Sequence, residues 1–156
     1  MKLTVAPALP SLSRVHQPSR TPVRVGLVQM HWQVDKDAHL AALANGIKLA
    51  ADAGAQIVFL PELTLSRYMA DTKPTETPNL LAEPLLTGPT FSFAAEQAKA
   101  NNCFVHASLY EYQNMADGRG LNVAIIVSPT GELVARTPKL HIPITAGYYE
   151  DKYFAP

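Results

Sequence analysis

Apolar and polar positions along this chain fall into blocks whose period changes, and the blocks predict alternating strands and helices. Val23 to Met30 (Val-Arg-Val-Gly-Leu-Val-Gln-Met) reads as a first buried strand. Asp35 is placed to cap a helix, and Leu40, Leu43, Ile47 and Ala50 follow at helical spacing until Gly54 closes it. Gln56 to Leu60 is a short apolar run, which favours a strand buried on both faces. Pro61 cannot donate to a ladder, so the strand stops there and delivers Glu62 at its carboxyl end. The short links make this a β-α-β unit with parallel strands.

The pattern then loosens. Thr64 to Pro84 is polar and carries Pro74, Pro78 and Pro84, so it predicts a long loop of the functional or mobile kind. Gly88-Pro89 opens a second helix with proline in the tolerated first turn, Phe91, Ala94, Ala95 and Ala98 form its apolar face, and Asn101-Asn102 closes it. Cys103 to Tyr110 and Leu121 to Val127 predict a third and a fourth strand, joined by a turn-rich link holding Gly118 and Gly120. Pro129-Thr130-Gly131-Glu132 is a tight turn, and Leu133 to Thr137 returns as a fifth strand. The chain is thus α/β, with one domain over residues 23–156.

Composition narrows the classes of function. The 156 residues carry no net formal charge and show no basic stripe, so nucleic acid is not an expected partner. No apolar run reaches the length of a membrane span. Cys103 is the one cysteine, which excludes an internal disulfide and points to a reducing compartment, the cytoplasm. Residues 1–22 hold Pro7, Pro10, Pro18 and Pro22, several serines and no acid, which predicts a disordered arm. There is no phosphate loop, no dinucleotide glycine fingerprint and no cysteine–histidine metal spacing, so no cofactor is expected. His31, His39, His106 and His141 are scattered singly and read as packed or solvated. Without a Gly-x-Ser-x-Gly elbow, a serine hydrolase is disfavoured.

Glu62, Lys139 and Glu150 remain. A carboxylate at a strand end beside apolar core is suited to proton transfer, although the same residue could be a solvated loop carboxylate or a partner of Arg67. The contexts are more specific than the residues. Val25-Gly26-Leu27-Val28-Gln29, Phe59-Leu60-Pro61-Glu62-Leu63 and Arg136-Thr137-Pro138-Lys139-Leu140-His141-Ile142-Pro143 resemble the nitrilase, or carbon–nitrogen hydrolase, superfamily in order and spacing. Gly147 to Phe154 is similar to members acting on N-carbamoyl amines and linear amides.

The resemblance implies an α-β-β-α sandwich, of which this chain is the amino-terminal portion, and full-length homo-oligomers. It implies hydrolysis of a small amide, N-carbamoyl amine or nitrile by a cysteine thiolate, with Glu62 as base, Lys139 as oxyanion stabiliser and Glu150 as the second glutamate that positions substrate and lysine. The physics agrees. A thiol with a pKa of about 8.5 needs a base near neutrality, and a fixed cation lowers the barrier where negative charge develops.

The departure is the nucleophile. In the family it follows the lysine, whereas no cysteine follows Lys139 in this sequence. Cys103 begins a strand, on the edge away from Glu62, and reads as a small buried hydrophobe. The chain as given is expected to be inactive. The alternative is a non-catalytic product that serves by binding or assembly.

Overall fold

The computed structural model describes residues 1–7 and 20–156. Most of the expected amino-terminal arm lies outside the described residues. The chain folds as one five-stranded sheet in the order β1-β2-β3-β4-β5, formed by Val25–Leu27, Ile57–Phe59, Phe104–Glu111, Leu121–Val127 and Leu133–Pro138. Helices α1 (Lys36–Asp52) and α2 (Pro89–Asn101) pack on one face, and a single turn of helix, α3 (Glu150–Tyr153), lies near the end.

Local chemistry sets the boundaries. The Asp35 side chain accepts from the Ala38 N–H at 2.8 Å, satisfying an orphan donor at the start of α1. Beyond its end Gly54 adopts a φ of 87°, which costs little only for glycine. The amino end of α2 is capped from outside the helix. Glu83 accepts from the Thr90 N–H at 2.9 Å and from its hydroxyl at 2.5 Å. The segment between β2 and α2 is a loop as expected, but it contains two short 3-10 turns, Met69–Asp71 and Pro78–Leu81.

Strands β1, β2 and β3 are parallel; β4 and β5 then pair antiparallel. This makes β5 run in the same direction as β2 and β3. The carboxyl ends of β2, β3 and β5 therefore share one edge, and β4 begins there. That edge carries the polar cluster described below.

The core lies between the helices and one face of the sheet. Leu43, Ile47, Phe93, Ala94 and Ala98 from the helices meet Val58, Val105, Ala107, Leu109, Val123 and Ile125. Gly26 lets α1 approach β1, since a Cβ there would stand 2.7 Å from that of Ala50. A second apolar cluster, built on Leu63, Met69, Tyr110, Tyr153 and Phe154, fastens the last residues over the site end of the other face.

Among the described residues nothing covers the rest of that other face, which corrects the expectation that β1 and β2 are buried on both sides. Only Gly26 and Val58, facing the helices, are buried in these strands. Val25 and Leu27 are exposed, and Ile57 and Phe59 are half-buried. The apolar runs look doubly buried, but the described residues place a layer on only one side. The ladders align Leu27, Phe59, His106 and Ile126 in one row across the open face.

Candidate active site

The chain turns sharply after β2. Leu63 takes a left-handed φ of 50°, a conformation that disfavours a branched side chain and clusters at functional positions. The turn sends the Leu63 side chain into the second apolar cluster and leaves Glu62 on the surface. It is clamped to β3: the Leu63 N–H donates to Ser108 Oγ at 3.2 Å, and the Thr64 N–H to the Ser108 carbonyl at 2.8 Å. Thr64 Oγ1 accepts in return from the Ser108 N–H at 2.9 Å. Glu62 is less enclosed than a buried strand end would make it, with 49% of its side chain exposed. It does not pair with Arg67, which bonds Asp71.

Lys139 follows β5 directly, and its N–H donates to the Asn122 carbonyl at 2.8 Å. Its ammonium stands 3.4 Å from Glu62 Oε1 and 2.7 Å from Glu150 Oε2. Glu150 opens α3, whose approach is fixed by the Tyr149 N–H donating to the Ala70 carbonyl at 2.7 Å. The Glu150 side chain is only 8% exposed. The neighbouring Lys152 pairs with Asp151 instead, at 2.6 Å. Glu62, 77 residues before Lys139, and Glu150, 11 residues after it, thus converge on one edge, with the lysine between the two carboxylates.

Burial alone would push the Lys139 ammonium down. The Glu150 hydrogen bond and the Glu62 and Glu150 charges outweigh it and hold the group above its ordinary value. Lys139 is therefore a fixed cation at neutral pH and not a base. Tyr68 donates to Glu150 Oε1 at 2.5 Å, and burial together with that carboxylate pushes its phenol well above the usual range. The phenol stays a donor throughout the physiological range.

Sequence reasoning missed Tyr68, Asn122 and Ser108. Tyr68 lies in an irregular loop and gave no signal. Asn122 did, because it is the one polar residue in the strand Leu-Asn-Val-Ala-Ile-Ile-Val. Its Nδ2 donates to Glu62 Oε1 at 2.6 Å.

Cys103 lies at the other end of the layer. It follows the left-handed Asn102 that ends α2, is buried, and precedes β3 at the edge opposite the cluster. Burial pushes its thiol up, away from the thiolate. His39 is packed, its Nε2 lying 2.9 Å from the Thr64 carbonyl. Among the described residues, a cavity of about 470 Å³ between Met1–Ala6, β1 and α1 is lined by no carboxylate, histidine or cysteine, so these residues offer it neither a general base nor a nucleophilic thiol. Among the described residues no cluster of ligands could hold a metal ion, and no helix is long and apolar enough to cross a membrane.

A lysine is held between two carboxylates on the strand-end edge of the α/β layer, and no metal-ligand cluster accompanies it among the described residues. Residues 24–156 match the carbon–nitrogen hydrolase family, and the chain belongs to it. It is 31% identical over 134 residues to a nitrilase of Pyrococcus abyssi, covering 85% of this chain and 47% of that protein. It is 28% identical to a citrullinase of Francisella tularensis, covering 86% of this chain and 46% of that protein. The chain therefore spans about half the length of these curated relatives. A carbon–nitrogen hydrolase structure from Helicobacter pylori superposes with a TM-score of 0.73 at 24% identity, covering 86% of this chain and 44% of that one. An amidase from Nesterenkonia superposes at 0.63 with 18% identity, covering 86% of this chain and 48% of that one. These two likenesses bear on the fold alone: both structures share the α/β layer of this chain.

Proposed function

We propose that this chain supplies the acid–base and oxyanion half of a carbon–nitrogen hydrolase site acting on a small amide, N-carbamoyl amine or nitrile. The observation that carries the reading is the Lys139 ammonium held between Glu62 and Glu150. The nucleophilic thiol comes from polypeptide outside the 156 residues, since Cys103 is buried on the opposite edge.

For an amide, Glu62 takes the thiol proton as sulfur attacks the carbonyl carbon. The electron pair displaced onto oxygen meets the Lys139 ammonium. As the tetrahedral adduct collapses, Glu62 returns the proton to the departing nitrogen and a thioester remains. Glu62 then deprotonates water, which attacks the thioester; the carboxylic acid leaves and the thiol is restored. Glu150 keeps Lys139 charged and aimed, and Tyr68 holds Glu150.

The test is ammonia release from a panel of amides, carbamoyl amines and nitriles. The purified chain alone is expected to give none. The chain mixed with a cysteine-bearing second half of such a domain is expected to give turnover that Glu62→Gln and Lys139→Met each abolish. Turnover by the chain alone that Cys103→Ala removes would overturn the reading. Silence in both arms would favour the other reading, a binding or assembly module, for which the open apolar face of the sheet speaks.

A further inference from the structure

The hydrogen bonds around Asn122 extend this reading and rest on its assignment of Glu62 as the base. Asn122 is buried as the second residue of β4, on the edge where β2 and β5 end. Its side chain and its main chain each hold one of the two charged residues. Nδ2 donates to Glu62 Oε1 at 2.6 Å, and the carbonyl accepts from the Lys139 N–H at 2.8 Å. Oδ1 faces Ser108 Oγ at 3.4 Å, and that hydroxyl in turn accepts from the Leu63 N–H at 3.2 Å. The amide's orientation is set by chemistry: turned over, it would point Oδ1 at a carboxylate, with two acceptors facing each other. Asn122 thus bonds Glu62 directly and is linked through Ser108 to Leu63, the left-handed residue that follows it.

Lys139 Nζ approaches the same Glu62 oxygen, at 3.4 Å. Both donors therefore load Oε1. Among the described residues the second carboxylate oxygen has no partner. A base needs one oxygen free for the incoming proton while the other anchors the group.

We propose that Asn122 is the positioning residue of this site: it fixes Glu62 by one oxygen, and so leaves the other as the atom that exchanges the proton. An uncharged amide suits the task. It donates without titrating, so the hold on Glu62 does not depend on pH in the neutral range. It also ties Glu62 and Lys139 to one rigid strand, so that the separation of base and cation is set by the sheet and not by two side chains.

The test is carbodiimide labelling of carboxyl groups in the full 156-residue chain, read by peptide mass spectrometry for the native protein, Asn122→Ala and Asn122→Asp. Asn122→Asp keeps the shape and the acceptor toward Ser108 but removes the donor to Glu62. Labelling of Glu62 is expected to rise several-fold in both variants. The exposed Glu76 and Glu96 should label as before, and hydrogen exchange over residues 121–127 should be unchanged. Unchanged Glu62 labelling overturns the proposal. So does a rise in Asn122→Ala alone, or one shared by Glu76 and Glu96 with faster exchange of β4, because each describes packing and not a hold on Glu62. The labelling reads that hold whether or not the chain ever catalyses, and the turnover assay reads catalysis whatever holds Glu62.

Discussion

Leu27 is the sharpest point at which to perturb the open face. It lies on β1, an edge of the described sheet, and is 78% exposed. Its register partner Phe59 stacks on His106 with ring centroids 4.8 Å apart, so Leu27 begins a largely apolar row that His106 interrupts before Ile126. Such a row predicts apolar dye binding and association that depends on concentration. Fully covering an exposed leucine is worth about 1.5–2 kcal/mol at roughly 25 cal/mol per Å². In a two-fold association each copy contributes one Leu27, so the two amount to about 3–4 kcal/mol, or roughly 100- to 1,000-fold in the association constant. Lysine keeps part of the apolar stem, so Leu27→Lys should weaken association by at least about tenfold. Sedimentation velocity over a concentration series measures this, with dye fluorescence as an independent reading. Equal association and equal dye binding in the two proteins would refute the reasoning. A native chain that remains a monomer and binds no dye would refute it more directly.

Three further outcomes follow from the polar groups. In double-mutant cycles read by chemical denaturation, Lys139 should couple to Glu150 by about 1–2 kcal/mol, less than a fully buried pair because the lysine is partly exposed. Its coupling to the half-exposed Glu62 should be under about 1 kcal/mol. The order of the two, tested with Lys139→Met, Glu150→Gln and Glu62→Gln, is the decisive result. Burial holds His106 below its ordinary value of 6.5, and its buried Nδ1 has no partner among the described residues. The unfolded chain therefore binds more protons there, and this contribution to stability is full above pH 6.5 and is lost as the pH falls below it. Denaturation midpoints at several pH values should show that slope, and His106→Phe should flatten it. Glu83→Ala should cost about 1–2 kcal/mol, the worth of a helix cap, because it frees the Thr90 N–H and hydroxyl together; a change within error in the urea midpoint would show that the cap adds nothing.

The element order was legible because each boundary has a local cause. Asp35 caps, Pro61 cannot donate, Gly88-Pro89 starts a helix, and Pro129 to Glu132 must turn. β4 is found at Leu121–Val127, as its pattern predicts. Burial was harder to read. The runs around Gly26 and Val58 are apolar on both faces, but a pattern along one strand does not say whether a second layer lies within the same chain. Glu62, Lys139 and Glu150 were singled out by their motifs. What brings them together is the direction of β5 relative to β2, which is a property of pairing and not of any segment. Tyr68 had no signature because loop geometry is set by what it docks against. Asn122 had one, a lone amide in an apolar strand, whose meaning emerged only with its neighbours in place.

The β4–β5 hairpin has a practical use. Its turn lies at the end of the strands away from Lys139, and one residue of β5 bulges out of the pairing with Ile126 and Val127 before the ladder resumes toward Pro138. Six residues of β5 at about 3.4 Å each put Lys139 some 20 Å beyond the turn. A length change or an attached group at the exposed Thr130 is therefore insulated from the charged edge, because the bulge can absorb a slip before it travels along the strand. A fluorophore, an affinity handle or a tether to a second polypeptide can be installed there, and the lysine and its two carboxylates will keep their spacing.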